Sequence, residues 1–211
     1  MPFLKAMTQL RTLGLNGTSV TDAGLVNLEE LVHLQELDLG STRVTDAGMA
    51  HIHRLNSMRK LYLHFTTVGD AGLAHLKGMN SLQELELRFT NVTDAGLAHL
   101  GGLTKLRDLD LWGTGLTDAG LVHLAKLTSL RRLTVCCPDI TDTGLRHGNY
   151  EHVGPVPQVR RKAQIRRVVT DCTGHGPFPL TPSPKGPSNP ATPVPEASIL
   201  MTGWCPCCPT T

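Results

Sequence analysis

Two columns of residues with chemically active side chains recur along this chain at intervals of 24 positions. Stacked carboxylates could bind cations or act as acid-base pairs, and stacked imidazoles could bind a transition metal. We interpret the carboxylates instead as favourable charges at helix N-termini, because every copy has one, and the imidazoles as outer surface residues that follow from duplication. The columns are Asp22, Asp46, Asp70, Asp94, Asp118 and Asp142, and His51, His75, His99 and His123.

The cysteines suggest a second kind of chemistry. All six lie at or after Cys136, so no regular disulfide framework supports the earlier part of the chain. The segment 204–209 offers sulfur ligands for a soft metal, but adjacent cysteines fit tetrahedral zinc poorly without a distant second pair. Cys136 and Cys137 would have to supply that pair. We therefore predict no cofactor and keep a zinc or redox site as an alternative.

The 24-residue period indicates one structural unit stacked on copies of itself. Leucines two apart, such as Leu13 and Leu15, predict a strand whose alternate side chains point inward. Leucines three apart, in the segment 25–31, predict a short helix with one buried stripe. Each copy is thus predicted to be a strand, a turn and a helix. The motif Thr-Asp-Ala-Gly, with variations, begins at Thr21, Thr45, Gly69, Thr93, Thr117 and Thr141.

Threonines have predicted roles at both ends of the turn. A hydroxyl at Thr18 and its equivalents would satisfy backbone groups where the strand bends away. Thr21 and its equivalents are predicted to be helix N-caps. Gly69 replaces the capping threonine in the third copy, which predicts a softer turn there.

The pattern L-x-x-L-x-L-x-x-T-x-V-T-D-A-G-L-x-x-L-x-x-L, as in the segment 82–103, resembles the leucine-rich repeat. It is the TDAGL version common in bacterial repeat proteins and is similar to the repeats of F-box adaptors. The resemblance implies an α/β solenoid with a parallel concave sheet, short outer helices and binding on the concave face. The chain departs from many members in having Thr where they have Asn, and it shows no recognisable F-box.

Strand residues between the buried leucines would face the concave side, where neighbouring strands lie about 5 Å apart. Four of the eight aromatic residues fall there, and we predict that they are exposed beside several carboxylates. Aromatic anchors beside charges are typical of protein interfaces, which predicts a basic or amphipathic protein or peptide partner. The alternative is a solvated face with a cross-strand charge ladder and two phenylalanines packed on each other. The candidate site residues are Tyr62, His64, Phe65, Glu84, Glu86, Arg88, Phe89, Asp108, Asp110 and Trp112.

The repeat register ends near residue 145, which predicts two regions. Residues 1–145 would form the solenoid, and residues 146–211 a basic, Pro-rich, disordered tail that contains 12 of the 14 prolines. Leu4 and Met7 fall on the columns of Leu28 and Leu31, so the array is expected to begin inside a repeat. We interpret the chain as a fragment, a short gene product or a chain that pairs through its ends. A frameshift origin of the tail is a further hypothesis.

Several functional classes are disfavoured by composition. The chain has no apolar run of membrane-spanning length and no secretory leader, which predicts a soluble cytoplasmic protein. The net charge of +2 and the interleaved acids make nucleic acid an unlikely partner. No set of residues predicts catalysis or a small-molecule substrate. We predict a protein-interaction module that is not an enzyme, with the substrate-recognition part of a ubiquitin-ligase adaptor as the alternative.

Overall fold

Within the described residues, strands recur in six copies and α-helices in five, at the positions that the 24-residue period predicts. The computed structural model describes residues 2–137, 139–141 and 143–144, together with the backbone of strands at 150–152, 159–161 and 167–169. The strands are β1 Thr12–Gly14, β2 Glu36–Asp38, β3 Lys60–Tyr62, β4 Glu84–Glu86, β5 Asp108–Trp112, β6 Arg132–Cys136, β7 Tyr150–His152, β8 Val159–Arg161 and β9 Arg167–Val169. The α-helices are α1 Asp22–Leu25, α2 Asp46–Met49, α3 Asp70–Ala74, α4 Asp94–Leu100 and α5 Asp118–Leu121. Short 3-10 helices lie at Pro2–Ala6, Val26–Leu28 and Val122–Lys126.

Strands β1 to β6 form one parallel sheet in chain order, and β9 adds a seventh strand beside β6. Every pairing from β1 to β6 joins residues 24 apart, as in Leu37 with Leu61 and Leu61 with Leu85. The predicted parallel sheet and its register are therefore confirmed. Together with the outer helices, this sheet forms an α/β solenoid of the kind that the resemblance implies.

The core is the stack of leucine columns between the sheet and the helices. Leu37, Leu61 and Leu133 are completely buried, whereas Leu13 at the sheet edge is only partly buried. The predicted stripe is also buried at Leu25 and Leu28. The stripe continues past the end of each short helix, as at Leu31 and Leu34. There the three-residue spacing comes from tight turns, because the amide of each of these leucines donates to the carbonyl oxygen three residues earlier.

The threonine at the strand exit has the predicted role. Thr42, Thr66, Thr90 and Thr114 are buried, and each hydroxyl donates to the carbonyl oxygen three residues earlier, at 2.6 to 2.7 Å. Each polar side chain is thereby paired within its own turn. This pairing removes the cost of burying a hydroxyl in the leucine stack.

The aspartate of the Thr-Asp-Ala-Gly motif has a role beyond the predicted helix-dipole effect. Asp22 Oδ1 accepts from the backbone amide of Thr45 at 2.8 Å, and its Oδ2 accepts from the Thr45 hydroxyl at 2.7 Å. We call this pair of hydrogen bonds the inter-repeat joint. It recurs from Asp70 to Thr93, from Asp94 to Thr117 and from Asp118 to Thr141.

The joint also explains two other residues of the motif. Threonine occupies the predicted N-cap position at α1, α2, α4 and α5, but only Thr45 and Thr117 accept a hydrogen bond from the helix's first turn, whereas the side chains of Thr21 and Thr93 make no such bond. The motif glycine faces the aspartate of the preceding repeat, and a Cβ there would collide with that carboxylate. This close approach occurs at Gly48, Gly72, Gly96, Gly120 and Gly144.

The two ends of the array show differences from the sequence predictions. Leu4 is 5% exposed and packs as predicted, but Met7 is 49% exposed and does not continue the leucine column. Strands β7 and β8 pair with each other, and β9 covers the edge of β6, where an open sheet edge would leave backbone groups unpaired. The remaining positions of the predicted disordered tail lie outside the described residues. Among the described helices, none is both long and apolar enough to cross a bilayer.

The joint between the second and third repeats lacks one of its two hydrogen bonds, because Gly69 has no hydroxyl. Its amide still donates to Asp46 Oδ1, at 2.6 Å. The backbone of Gly69 is extended, with φ −128°, close to the −122° of Thr93. A side chain is therefore compatible with the backbone conformation at this position.

We predict that Gly69→Thr stabilises the fold by about 1 kcal/mol relative to Gly69→Ala, because only threonine donates to the free Asp46 oxygen. A Cβ at Gly69 would lie 3.6 Å from that oxygen and 3.3 Å from the Asn91 carbonyl oxygen. The alanine variant controls for the latter contact and for backbone entropy. Urea unfolding of the three chains measures the difference. Equal stability of the threonine and alanine variants would contradict the proposed missing bond.

Candidate partner-binding face

The ten predicted site residues lie on β3, β4 and β5 or directly after them, on the face of the sheet opposite the leucine core. We call this surface the concave face. Parallel pairing sets Tyr62 beside Glu86 and Glu86 beside Asp110, and two positions earlier on the same face it sets Glu84 beside Asp108. The structure therefore brings the predicted residues together.

Four carboxylates form the centre of this face: Glu84, Glu86, Asp108 and Asp110, which we call the acidic basin. They line a shallow cavity of about 150 Å³ with Tyr62, Arg132 and Thr134. Arg132 and Thr134 were not among the predicted site residues, although they continue the same columns by one repeat. Their positions on β6 extend the candidate site to the next strand.

Cations on the same face neutralise part of the basin. Lys60 Nζ lies 3.2 Å from Glu84, Arg88 Nη2 lies 2.6 Å from Asp110, and Arg132 Nη1 lies 3.4 Å from Asp108. Such partly exposed pairs contribute about 0–1 kcal/mol each, so they are weak constraints on the fold. Across β2 to β6 and the strand exits, six carboxylates, including Glu36 and Asp38, outnumber these three cations. The face thus retains an excess of negative charge.

Tyr62 is the aromatic residue inside the basin. Its hydroxyl donates to Glu84 Oε2 at 3.1 Å. The pKa of Tyr62 is raised above its ordinary value of 10.0, first by burial, then by the hydrogen bond to Glu84 and by the charges of neighbouring glutamates. Tyr62 is therefore a neutral hydrogen-bond donor at physiological pH.

His64 reaches across an entire repeat. Asn16 Nδ2 lies 2.8 Å from His64 Nε2, although the two residues are two repeats apart. This contact is possible because Gly40 lies between them and a Cβ there would collide with the imidazole. The Asn16 amide also donates to the Asp38 carboxylate, at 3.3 and 3.4 Å, which is consistent with Nε2 being the acceptor.

The proton of neutral His64 is then on Nδ1, which lies 3.7 Å from Glu86 Oε1. Asn16, Gly40 and Asp38 were not among the predicted site residues. The sequence did contain an indication of this contact. Asn16, Gly40 and His64 share one column, so a glycine separates two long side chains, and Asp38 lies in the adjacent column.

Arg88 connects the basin to the indole of Trp112. Its guanidinium carbon lies 5.7 Å from the ring centroid, and its Nε lies 3.6 Å from Glu86. The expectation of an exposed Trp112 is wrong, because the ring is half-buried beside Arg88. The buried indole Nε1 has no hydrogen-bond partner in the described part of the structure.

Phe65 and Phe89 stack at the strand exits. Their ring centroids are 4.8 Å apart with an interplanar angle of 16°, and the Phe65 and His64 rings are nearly perpendicular, with centroids 6.0 Å apart. Phe65 is 55% exposed, as predicted, whereas Phe89 and Tyr62 are half-buried, contrary to the expectation. Each of these two rings is covered by a residue of a neighbouring strand. The alternative interpretation predicted cross-strand ion pairs and a phenylalanine pair. Both kinds of contact are present beside the acidic basin.

The other candidate columns do not converge on a site in the described structure. The described members of the Asp column bond across the joints, and His51 Nδ1 lies 2.6 Å from Glu29 on the outer surface. His51, His75 and His99 are half-buried rather than exposed. Among the described residues, no three His, Cys, Asp or Glu side chains form a group suited to a metal ion.

The two described cysteines argue against the proposed zinc pair. Cys136 is in a disulfide and so does not present a thiolate. Cys137 is a free, buried thiol that donates to the Thr114 carbonyl, at 3.1 Å. The cysteines of the segment 204–209 lie outside the described residues.

A family model and two solved structures are similar to this chain. A family model described as "Leucine-rich repeat region" matches residues 1–176. A crystal structure of an internalin (inlF) from Listeria monocytogenes str. 4b F2365 is similar, with a TM-score of 0.58 and 27% identity over 69% of this chain. An internalin C2 (inlC2) from the same organism has a TM-score of 0.50 and 25% identity, covering 68% of this chain and 70% of that one. The alignment covers 40% of the inlF chain. The comparison with curated protein sequences finds no match.

We predict that, in the folded chain, Tyr62 ionises at higher pH than in the urea-unfolded chain, and that Glu84→Gln lowers its pKa by removing a charge and weakening a hydrogen bond. Since the folded pKa is raised, the stability linked to neutral Tyr62 is present below pH 10 and is lost as pH rises above it. Phenolate absorbance measures the titration of both tyrosines. The Tyr62→Phe variant shows which part of the absorbance change, expected at the higher pH, belongs to Tyr62. Two tyrosines titrating alike in folded and unfolded chains would contradict the prediction.

Proposed function

Because this chain belongs to the leucine-rich repeat family, we propose that it is a protein-interaction module whose concave face binds a basic segment of a partner protein. The family match and the internalin similarity support protein binding in general. The location and the charge preference of the proposed binding face follow from the chain's own residues on β3 to β6.

The observation that carries this proposal is the excess of carboxylates around an open cavity. Glu86 and Asp110 remain partly exposed after pairing with Arg88, and Glu84 remains partly exposed after pairing with Lys60. A lysine or arginine of a partner can therefore approach carboxylate oxygens that the internal cations do not saturate. Charge complementarity of this kind increases association rates and selects the partner.

Aromatic groups give the same face its anchors. Tyr62 offers a neutral hydroxyl and a ring within the basin, and Trp112 offers a ring that already contacts a guanidinium. Tyrosine and tryptophan beside charged groups are enriched among residues that dominate binding energy. A basic segment would thus find both carboxylates and aromatic faces within neighbouring repeats.

The proposed activity is binding rather than catalysis. The basin carboxylates are open to water and partly paired with cations, whereas catalytic groups act in enclosed sites that exclude solvent. The ion pairs are also spread along the sheet instead of converging on one reacting position. Open carboxylates spread along several strands are suited to contacting an extended partner.

We predict that the full chain binds a labelled, lysine-rich extended peptide, and that Glu84→Gln with Glu86→Gln weakens the affinity at least tenfold. Fluorescence anisotropy at several salt concentrations measures the binding, which should weaken as salt rises because the partners attract by charge. The matched control is Glu29→Gln with Glu30→Gln, which removes the same charge outside the concave face. A glutamate-rich peptide is the second control.

Equal loss of affinity in the two double variants would show that overall charge, and not the acidic basin, is responsible. No binding of the lysine-rich peptide to the unmodified chain would disprove the proposed function.

A further inference from the structure

The strand exits form a column in which five of the six described residues, all except Cys137, have a left-handed backbone conformation. The φ angles are 68° at Gly17, 52° at Ser41, 54° at Phe65, 53° at Phe89 and 67° at Gly113. Glycine adopts this conformation freely, but a bulky side chain does so at a cost. Two of the five repeats nevertheless have phenylalanine there.

The folded structure gives the second of these rings a packing role. A Cβ on Gly113 would collide with the Phe89 ring, so Phe89 lies directly against the backbone of the next repeat. Phe65 then stacks on the other face of Phe89. Phe89 is therefore enclosed on both faces, by Gly113 and by Phe65.

Phe65 has no such cover. One face of its ring contacts Phe89, and the side chain is 55% exposed. The next residue of the column is Ser41, which is small and exposed. The stack therefore ends in an open aromatic face above a small residue, at a strained backbone position. Strained residues of this kind cluster where a ligand is held.

We propose that the exposed face of Phe65, above Ser41, binds an aromatic side chain of the same partner segment whose basic residue enters the acidic basin. This inference rests on the proposed function and adds a second anchor to it. A planar ring would continue the offset stack from Phe89 through Phe65. The neighbouring carboxylates favour a cationic peptide over a neutral sugar as the bearer of that ring.

The spacing of the two anchors specifies the ligand further. Phe65 follows Tyr62, which lines the basin, by three residues, and the left-handed turn at Phe65 makes the distance shorter than the roughly 10 Å of an extended chain. In an extended peptide, residues two positions apart point to the same face and are about 7 Å apart, so the basic and aromatic residues should be two positions apart. The inferred partner motif is a lysine or arginine with an aromatic residue at the second position from it.

The test uses the full chain and three labelled peptides. The first has lysine with tryptophan two positions away, the second has alanine in place of that tryptophan, and the third has tryptophan adjacent to the lysine, where the two side chains point to opposite faces of an extended peptide. We expect the first to bind at least tenfold more tightly than the other two. Phe65→Gly should abolish this preference, and Phe65→Tyr should retain it.

Phe65→Gly is informative because glycine is the natural residue of the column in two repeats and adopts the required φ without strain. Its thermal unfolding midpoint should therefore be unchanged or higher, which separates lost binding from lost folding. Phe3→Ala, which removes an exposed phenyl ring outside the concave face, is the matched control and should retain the preference.

The outcomes distinguish the two proposals. Binding of all three peptides with equal affinity, still dependent on Glu84 and Glu86, would overturn the aromatic anchor and leave the proposed function standing. Absence of any peptide binding would overturn both. Tighter binding of a neutral oligosaccharide than of the first peptide, or Phe65-dependent self-association in sedimentation, would also overturn the inferred occupant.

Discussion

The carboxylate that connects each repeat to the next is the interaction on which the rest of the structure depends. Its two oxygens accept from the amide and the hydroxyl of one threonine, and a glycine leaves room for its approach. These bonds are charge-assisted and recur at one position per repeat, so they set the relative placement of successive helices. Thr, Asp and Gly in the motif are thus parts of one contact, and the leucine columns align because that contact is repeated.

A constant placement of repeats has a direct consequence for the opposite side of the sheet. Residues 24 apart become lateral neighbours, and the surface is assembled from columns instead of from sequence neighbours. Glu84, Asp108 and Arg132 illustrate this, because each belongs to a different repeat and yet each lines the same cavity. Small residues within a column are equally important. Gly40 lets His64 reach Asn16, and Ser41 leaves one face of Phe65 open. Variation within the columns therefore gives an otherwise uniform array its individual surface.

The concave face combines contacts that stabilise the fold weakly with groups that remain available to a ligand. Its ion pairs are partly exposed and contribute little energy, and the stacked phenylalanines occupy backbone conformations that are unfavourable for them. The buried leucine columns, by contrast, supply the hydrophobic stability of the solenoid. Stability and recognition are consequently carried by opposite faces of the same strands.

The sequence by itself determined the repeat, the parallel register, the buried columns and the face on which each strand residue lies, because a strict 24-residue period maps directly onto neighbouring strands. It also placed all ten candidate residues on one surface. Only the tertiary structure decided which neighbour each side chain contacts: the Asp22 carboxylate with Thr45, His64 with Asn16, and Arg88 over Trp112. These contacts depend on side-chain conformation and on distances between repeats, and a periodic pattern specifies neither. For the same reason Tyr62 and Trp112 are less exposed than the sequence predicted, because adjacent strands partly cover them.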